Sequence, residues 1–351
     1  MIFKNLERLF SMKQSAERDT TLDIAKGVSI LLMTVSHLLI FKNFPKLREF
    51  NETILVLFKM PLFIFISGIL FSNRLGFKDF FVNKFDALIK PILVIFCGSI
   101  IVAIILNHSL DYSFYEWIEF SNRMIKKYYY SLWFPLVLFV TTILFKSVVD
   151  AKSKFKPSIF MMVYIILITL LILVTKQNIK ISLFLTYPIL YFLIILSIGY
   201  LFKKYHLIHM MYRTDMFIFS VLIFIWYVTE KEALGVKMNL YMNQFGALIP
   251  TVITIISGIT IILYLSKQIS KTNYLSKILI YCSKASFFIL AFHVIIGNYI
   301  IYPYLKDYIS DRYLLAVVTY IPTIAFCIAI YKILFRTKVL KYLLLPKKLL
   351  N

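Results

Sequence analysis

Along the chain, long apolar runs alternate with short, basic connections. Ten runs approach the ~20 residues that a helix needs to cross a bilayer. They fall at roughly 22–41, 52–72, 87–107, 129–147, 158–175, 181–202, 215–229, 245–265, 284–303 and 313–335, the seventh being the shortest. The pattern predicts an all-α, polytopic integral membrane protein of about ten transmembrane helices, read as one domain over 1–351. Residues 1–20 form a basic amphipathic arm suited to a membrane surface. Phe3, Leu6, Leu9 and Phe10 lie near one face, with Lys4, Arg8 and Lys13 elsewhere. The first run is too long for a signal-peptide core and is expected to be a retained anchor.

The connections set the expected orientation. With the N-terminus cytoplasmic, 25 basic residues fall on the inner side and 13, Lys59 among them, on the outer side; Lys26 completes the 39. That asymmetry predicts both termini in the cytoplasm and a multi-pass protein of the plasma membrane. Composition agrees: 60% of the 351 residues are hydrophobic and only 16% are charged. The net charge of +22 would suggest nucleic acid in a soluble protein. Here the charges sit in membrane-flanking connections and no base-reading module is visible, so lipid headgroups are the expected partners and nucleic acid is not. Cys97, Cys282 and Cys327 have no spacing that suggests a disulfide framework or a metal motif.

Candidate chemistry concentrates in the first run, which carries Asp23, Lys26 and His37. A charge at the centre of a membrane helix costs ~2.5 kcal/mol or more, so one that persists there is a functional candidate. On a continuous helix Lys26 and His37 share a face about three turns apart, with Asp23 close to that face. The opposite face, with Leu31, Leu32, Val35 and Leu39, is apolar. A structural reading stands beside this one: a snorkelling lysine, a capping Asp23, and a histidine bonded to a neighbouring helix. His293 is a second mid-run histidine; both runs go from inside to outside, so the two histidines could face one cavity. Two histidines and a carboxylate are a minimal metal set, but Asp23 lies about four turns from His37, so no metal is expected. Met60-Pro61 and Ser67-Gly68 in the second run are expected to loosen a helix and let backbones approach.

These residues resemble the membrane acyltransferase family 3, in particular its branch related to fucose 4-O-acetylase. Arg18-Asp19, Leu22-Asp23, Lys26-Gly27 and His37 are similar to its first-helix signature, a basic residue, ten residues, then histidine. Met60-Pro61-Leu62-Phe63 with Ser67-Gly68 resembles its second-span motif. Leu132-Trp133-Phe134 and Ser286 to His293 resemble two further segments. An arginine pair spaced R-x-x-R, found in some relatives, is absent, and Lys26 stands where many relatives carry arginine. The resemblance implies a membrane O-acyltransferase that moves an acyl group, usually acetyl from acetyl-CoA as co-substrate, to a hydroxyl of an envelope glycan or lipid-linked polysaccharide. On that reading His37, Lys26, Asp23 and His293 are the expected catalytic group. Arg18, Lys26, Arg74 and Lys84 are the expected cations for the CoA phosphates. Thr34, Ser36 and Ser67 are unranked candidates for an oxyanion donor. The rival reading is a transporter or flippase for a lipid-linked glycan or acyl donor; a structural subunit of an export machine is a third.

The topology is directly testable. Reporter fusions after Ser153 and after Lys176 are expected to lie on opposite sides of the membrane. Reporters on the same side would show that the fourth-to-sixth run assignment is wrong.

Overall fold

The structure, a computed structural model, describes residues 20–107, 130–154, 186–236, 238–239 and 244–344. It is helical throughout, apart from one antiparallel pair of two-residue strands, β1 (Met238–Asn239) and β2 (Gln244–Phe245). In order, the helices are α1 (Thr20–Val35), α2 (Pro45–Ile69), α3 (Phe77–Lys84), α4 (Lys90–Asn107), α5 (Trp133–Lys154) and α6 (Thr186–Lys204). Then follow α7 (Thr214–Glu230), α8 (Leu248–Ile269), α9 (Asn273–Lys284), α10 (Ser286–Leu305), α11 (Arg312–Arg336) and α12 (Lys338–Leu344). A 3-10 turn, Leu39–Asn43, joins α1 to α2.

Among the described residues, five helices are long and apolar enough to cross a membrane: Pro45–Ile69, Trp133–Ala151, Leu248–Ile269, Ser286–Leu305 and Arg312–Leu334. They carry the second, fourth, eighth, ninth and tenth expected runs. Helices also occupy the third, sixth and seventh runs, as α4, α6 and the 17-residue α7. The fifth run, 158–175, and the arm before Thr20 lie outside the described residues. The first run departs from expectation. It is not one helix over 22–41, because α1 stops at Val35 and the chain turns before the 3-10 segment.

α1 is the central element, packed on α2, α8, α9 and α10. Its buried residues, from Thr21 to Thr34, surround the helix rather than forming one stripe, as expected of a helix enclosed by others. One of these neighbours comes very close. A Cβ added at Gly27 would stand 2.1 Å from the carbonyl oxygen of Leu279 on α9. At the α2–α6 crossing the contact is reciprocal. A Cβ at Gly68 would stand 2.0 Å from Leu196 O, and one at Gly199 would stand 2.1 Å from Phe65 O. Ser67-Gly68 therefore closes a backbone-to-backbone seam, the arrangement that small residues permit between apolar helices. The Ser67 hydroxyl donates to Phe63 O, 2.9 Å away on its own helix.

Backbone atoms cannot swing aside as a side chain can. Gly68→Ala and Gly199→Ala are each expected to force the helices apart and destabilise the protein by about 1–3 kcal/mol or more. Thermal unfolding of purified protein measures this, with Gly98→Ala as the control, since a Cβ added there would meet nothing within 4 Å. Equal unfolding temperatures for all three variants would contradict the seam.

Candidate functional site

The end of α1 is closed by short-range bonds, Ser36 N–H to Met33 O at 3.3 Å and His37 N–H to Thr34 O at 3.0 Å. The polar backbone that follows is satisfied from a distant element. The side-chain amide of Asn298 on α10 donates to His37 O at 2.9 Å and accepts from Leu39 N–H at 2.8 Å. Asn298 thus binds this strand of chain as a neighbouring β-strand would. It sits in a π-wound stretch of α10, Ile295–Ile301. Just before it, Gly297 leaves room for Leu38, whose Cδ2 would lie 2.4 Å from an added Cβ. On the α11 side, the Tyr320 hydroxyl donates to Leu31 O at 2.9 Å and stands 3.1 Å from Thr34 Oγ1.

The clamp brings the two histidines together. The rings of His37 and His293 are 5.5 Å apart, centroid to centroid, with 54° between their planes. His293 is wholly buried, and its Nδ1 lies 2.7 Å from Ile289 O and 3.0 Å from Leu290 O. Carbonyl oxygens only accept, so Nδ1 carries the proton and Nε2 presents a lone pair. That Nε2 is buried with no hydrogen-bond partner among the described residues. A buried, unsatisfied polar atom is rare enough to call for a functional explanation. Ser131 fixes the same turn of α10 by donating to Leu290 O at 2.7 Å.

A second polar knot lies on the other flank of the turn. Lys59 of α2 is 6% exposed, and its ammonium donates to Ser36 Oγ and, at 2.7 Å, to Asn51 Oδ1. Ser36 in turn donates to Asn51 Oδ1 at 3.0 Å, and Ser29 donates to the Lys59 carbonyl. Asn51 opens a second π-wound stretch, Asn51–Leu55, whose Thr53 carbonyl accepts from Tyr227 at 3.0 Å. Sequence reasoning counted Lys59 as an outer-face charge and overlooked Asn51 and Asn298. The available signal was a lysine immediately before Met60-Pro61, inside an apolar run.

The remaining candidates occupy other places. Asp23 is buried in the first turn of α1, where the helix dipole favours an acid. Lys26 is half-buried with Nζ 5.8 Å from the centre of the Phe63 ring. Phe63 packs edge-on against Phe134 at 5.5 Å, and Trp133 stacks on Phe192 at 6.4 Å. Met60-Pro61-Leu62-Phe63 and Leu132-Trp133-Phe134 therefore build an aromatic shelf under the cation. Lys26 lies near the middle of α1, and from it to Val35 the helix rises ~14 Å, so Lys26 and His37 are well separated along the helix. Arg74 is exposed on the loop after α2, and Lys84 ends α3 with Nζ 5.5 Å from the Phe80 ring. That loop is held by two further lysines, Lys146 donating to Asn73 Oδ1 and Lys203 donating to Phe71 O at 2.9 Å. Lys146 is buried and paired with Asp150 at 2.7 Å. Arg18 lies outside the described residues. Of the three hydroxyls considered as oxyanion donors, Thr34 and Ser67 donate to carbonyls of their own helix and Ser36 to Asn51. No group of three His, Cys, Asp or Glu among the described residues converges as a metal site.

Comparison with curated proteins and with solved structures yields no match for this chain. Comparison with known families does: an acyltransferase domain, that of acyltransferase family 3, matches residues 19–332 and so spans the turn, both histidines and the aromatic shelf. The chain belongs to acyltransferase family 3, which makes it a membrane acyltransferase.

Proposed function

We propose that the protein transfers an acyl group, acetyl in the first instance, from a cytoplasmic acyl-CoA to a hydroxyl of a cell-envelope or exported polysaccharide. The observation that carries this reading is the contact of His37 with the buried His293, whose tautomer is fixed and whose Nε2 has no hydrogen-bond partner among the described residues. His37 acts as the general base, an imidazole suited to taking a proton near neutral pH. It removes the acceptor's hydroxyl proton as that oxygen attacks the thioester carbonyl. The carbon–sulfur bond then breaks, and the CoA thiolate leaves with the proton. His37 becomes an imidazolium with two N–H groups, and the neighbouring His293 supplies the Nε2 lone pair that accepts from one of them. His293 is thus a helper that stabilises the charged ring.

The donor's phosphates bind further back along α1, from its middle towards its N-terminal side. Lys26 on its aromatic shelf, with Arg18, Arg74 and Lys84, holds the CoA phosphates, and Asp23 orients Lys26. The lysine-organised loop that carries Arg74 supports this reading, because it gathers cations at one end of the bundle. The acyl arm then runs along α1 towards His37. The protein is placed in the plasma membrane with both termini cytoplasmic.

Three results test the reading in purified protein and in a deletion strain complemented at matched membrane levels. His37→Ala and His37→Gln are expected to lower glycan O-acylation by about 10²-fold or more, since an amide cannot take the hydroxyl proton. Full acylation by His37→Gln would favour the transporter reading instead. His293→Gln, whose side-chain oxygen still accepts, is expected to retain more activity than His293→Phe; equal losses would remove the acceptor role. Lys26→Ala is expected to raise the KM for acetyl-CoA by roughly tenfold, one charge-assisted contact or about 1.4 kcal/mol, with Lys26→Arg close to wild type. An unchanged KM would take Lys26 out of the donor site.

A further inference from the structure

The turn that carries His37 borders a groove that the reaction above leaves unused. Ser36 and Leu38 line it from one side, and Arg48, Asn51 and Glu52 from the other. Its volume is about 190 Å3, smaller than the ~300–1,000 Å3 that houses a whole drug-sized ligand. Phe41 and Leu47 line it and also line a neighbouring trough of about 810 Å3. In that trough Phe44 and Tyr313 pair their rings at 5.2 Å between Lys46 and Arg312.

The chemistry of the lining selects an occupant. Arg48 and Glu52 neutralise each other across 2.9 Å, so the rim has no net charge to attract CoA phosphates. They nevertheless set a fork of donors beside a carboxylate acceptor, which suits adjacent hydroxyls. Asn51 spends its oxygen on Ser36 and Lys59, while its amide nitrogen makes no hydrogen bond among the described residues. Two of the three donors of the buried Lys59 ammonium are used the same way. The floor is therefore a rigid polar knot with donors to spare, an unfavourable seat for an acyl chain. Phe41 and the Phe44–Tyr313 pair offer flat apolar faces, which match the C–H face of a pyranose ring.

We propose that the groove is the acceptor subsite and takes one uncharged sugar unit with adjacent hydroxyls, the neighbouring units of the glycan lying in the aromatic trough. Its place is the turn that carries the base: Ser36 and Leu38, the residues on either side of His37 in the chain, line the groove, although His37 itself does not. The inference rests on the acyltransferase reading for its meaning and on the groove alone for its binding claim.

The test separates the two. Leu47→Cys in a Cys97→Ser background puts a thiol where groove and trough meet. Its maleimide labelling is measured in detergent with methyl glycosides of glucose, galactose and N-acetylglucosamine and with short neutral oligosaccharides. At least one sugar is expected to slow labelling, oligosaccharides more than single units. Adding Asn51→Ala or Glu52→Gln should raise the half-protecting concentration about tenfold, while Lys277→Ala on α9 should not. Acetyl transfer from acetyl-CoA to the same sugars is measured in parallel. Protection without transfer in the parent protein would sustain the saccharide site and overturn the proposed acetyl transfer to glycan hydroxyls. Transfer without protection, or shielding by reconstitution into phosphatidylglycerol vesicles rather than by any sugar, would overturn the groove. Protection that ignores Asn51→Ala and Glu52→Gln would overturn it as well.

Discussion

A break in a helix inside an apolar bundle exposes backbone N–H and C=O groups where no water is at hand to satisfy them. Such backbone persists only where the protein itself supplies the partners. This constraint governs the end of α1. The turn at Ser36–Leu38 is held by Asn298 on one flank, by Lys59 and Asn51 on the other, and by Tyr320 at the last helical carbonyls. Both asparagines lie in π-wound stretches of their helices. A π-turn widens the helix and redirects one side chain, and such turns recur at functional sites. Here two of them converge on a single bend and fix the direction of His37.

Close packing makes that convergence possible. The α2–α6 seam at Gly68 and Gly199, and the approach of α9 to Gly27, draw the backbones around α1 to within contact. Side chains that would be isolated charges in lipid are then enclosed by other helices. The aromatic shelf under Lys26 serves the same end, since a ring face is one of the few apolar surfaces that welcomes a cation. Two levels of α1 thus have different characters, a cation over an aromatic ring near its middle and an imidazole pair in a polar clamp at its end. In the proposed reaction this separation spans the distance between the donor's phosphates and its acyl group.

Much of this protein was legible in its sequence. The apolar runs announced a helical membrane protein, because burying backbone in lipid leaves few alternatives to a helix. Asp23, Lys26, His37 and His293 stood out because polar side chains in apolar runs are costly, and Ser67-Gly68 stood out as a close-approach pair. The meeting of His37 with His293, anticipated from their similar depth, is present in the structure as two rings in contact.

What periodicity could not supply was where the first helix stops. Val35-Ser36-His37-Leu38 carries no proline or glycine, so local propensity continues the helix that the tertiary structure ends. The break is stabilised by Asn298, 261 residues from the His37 carbonyl it binds. For the same reason Lys59 read as a surface charge. Its burial depends on Ser36, which comes beside it only when α1 and α2 pack. Sequence alone determined the kinds of residue available and the helices that carry them. Only the tertiary structure decided which polar groups satisfy one another, because hydrogen-bond partners distant in the chain leave no periodic trace in it.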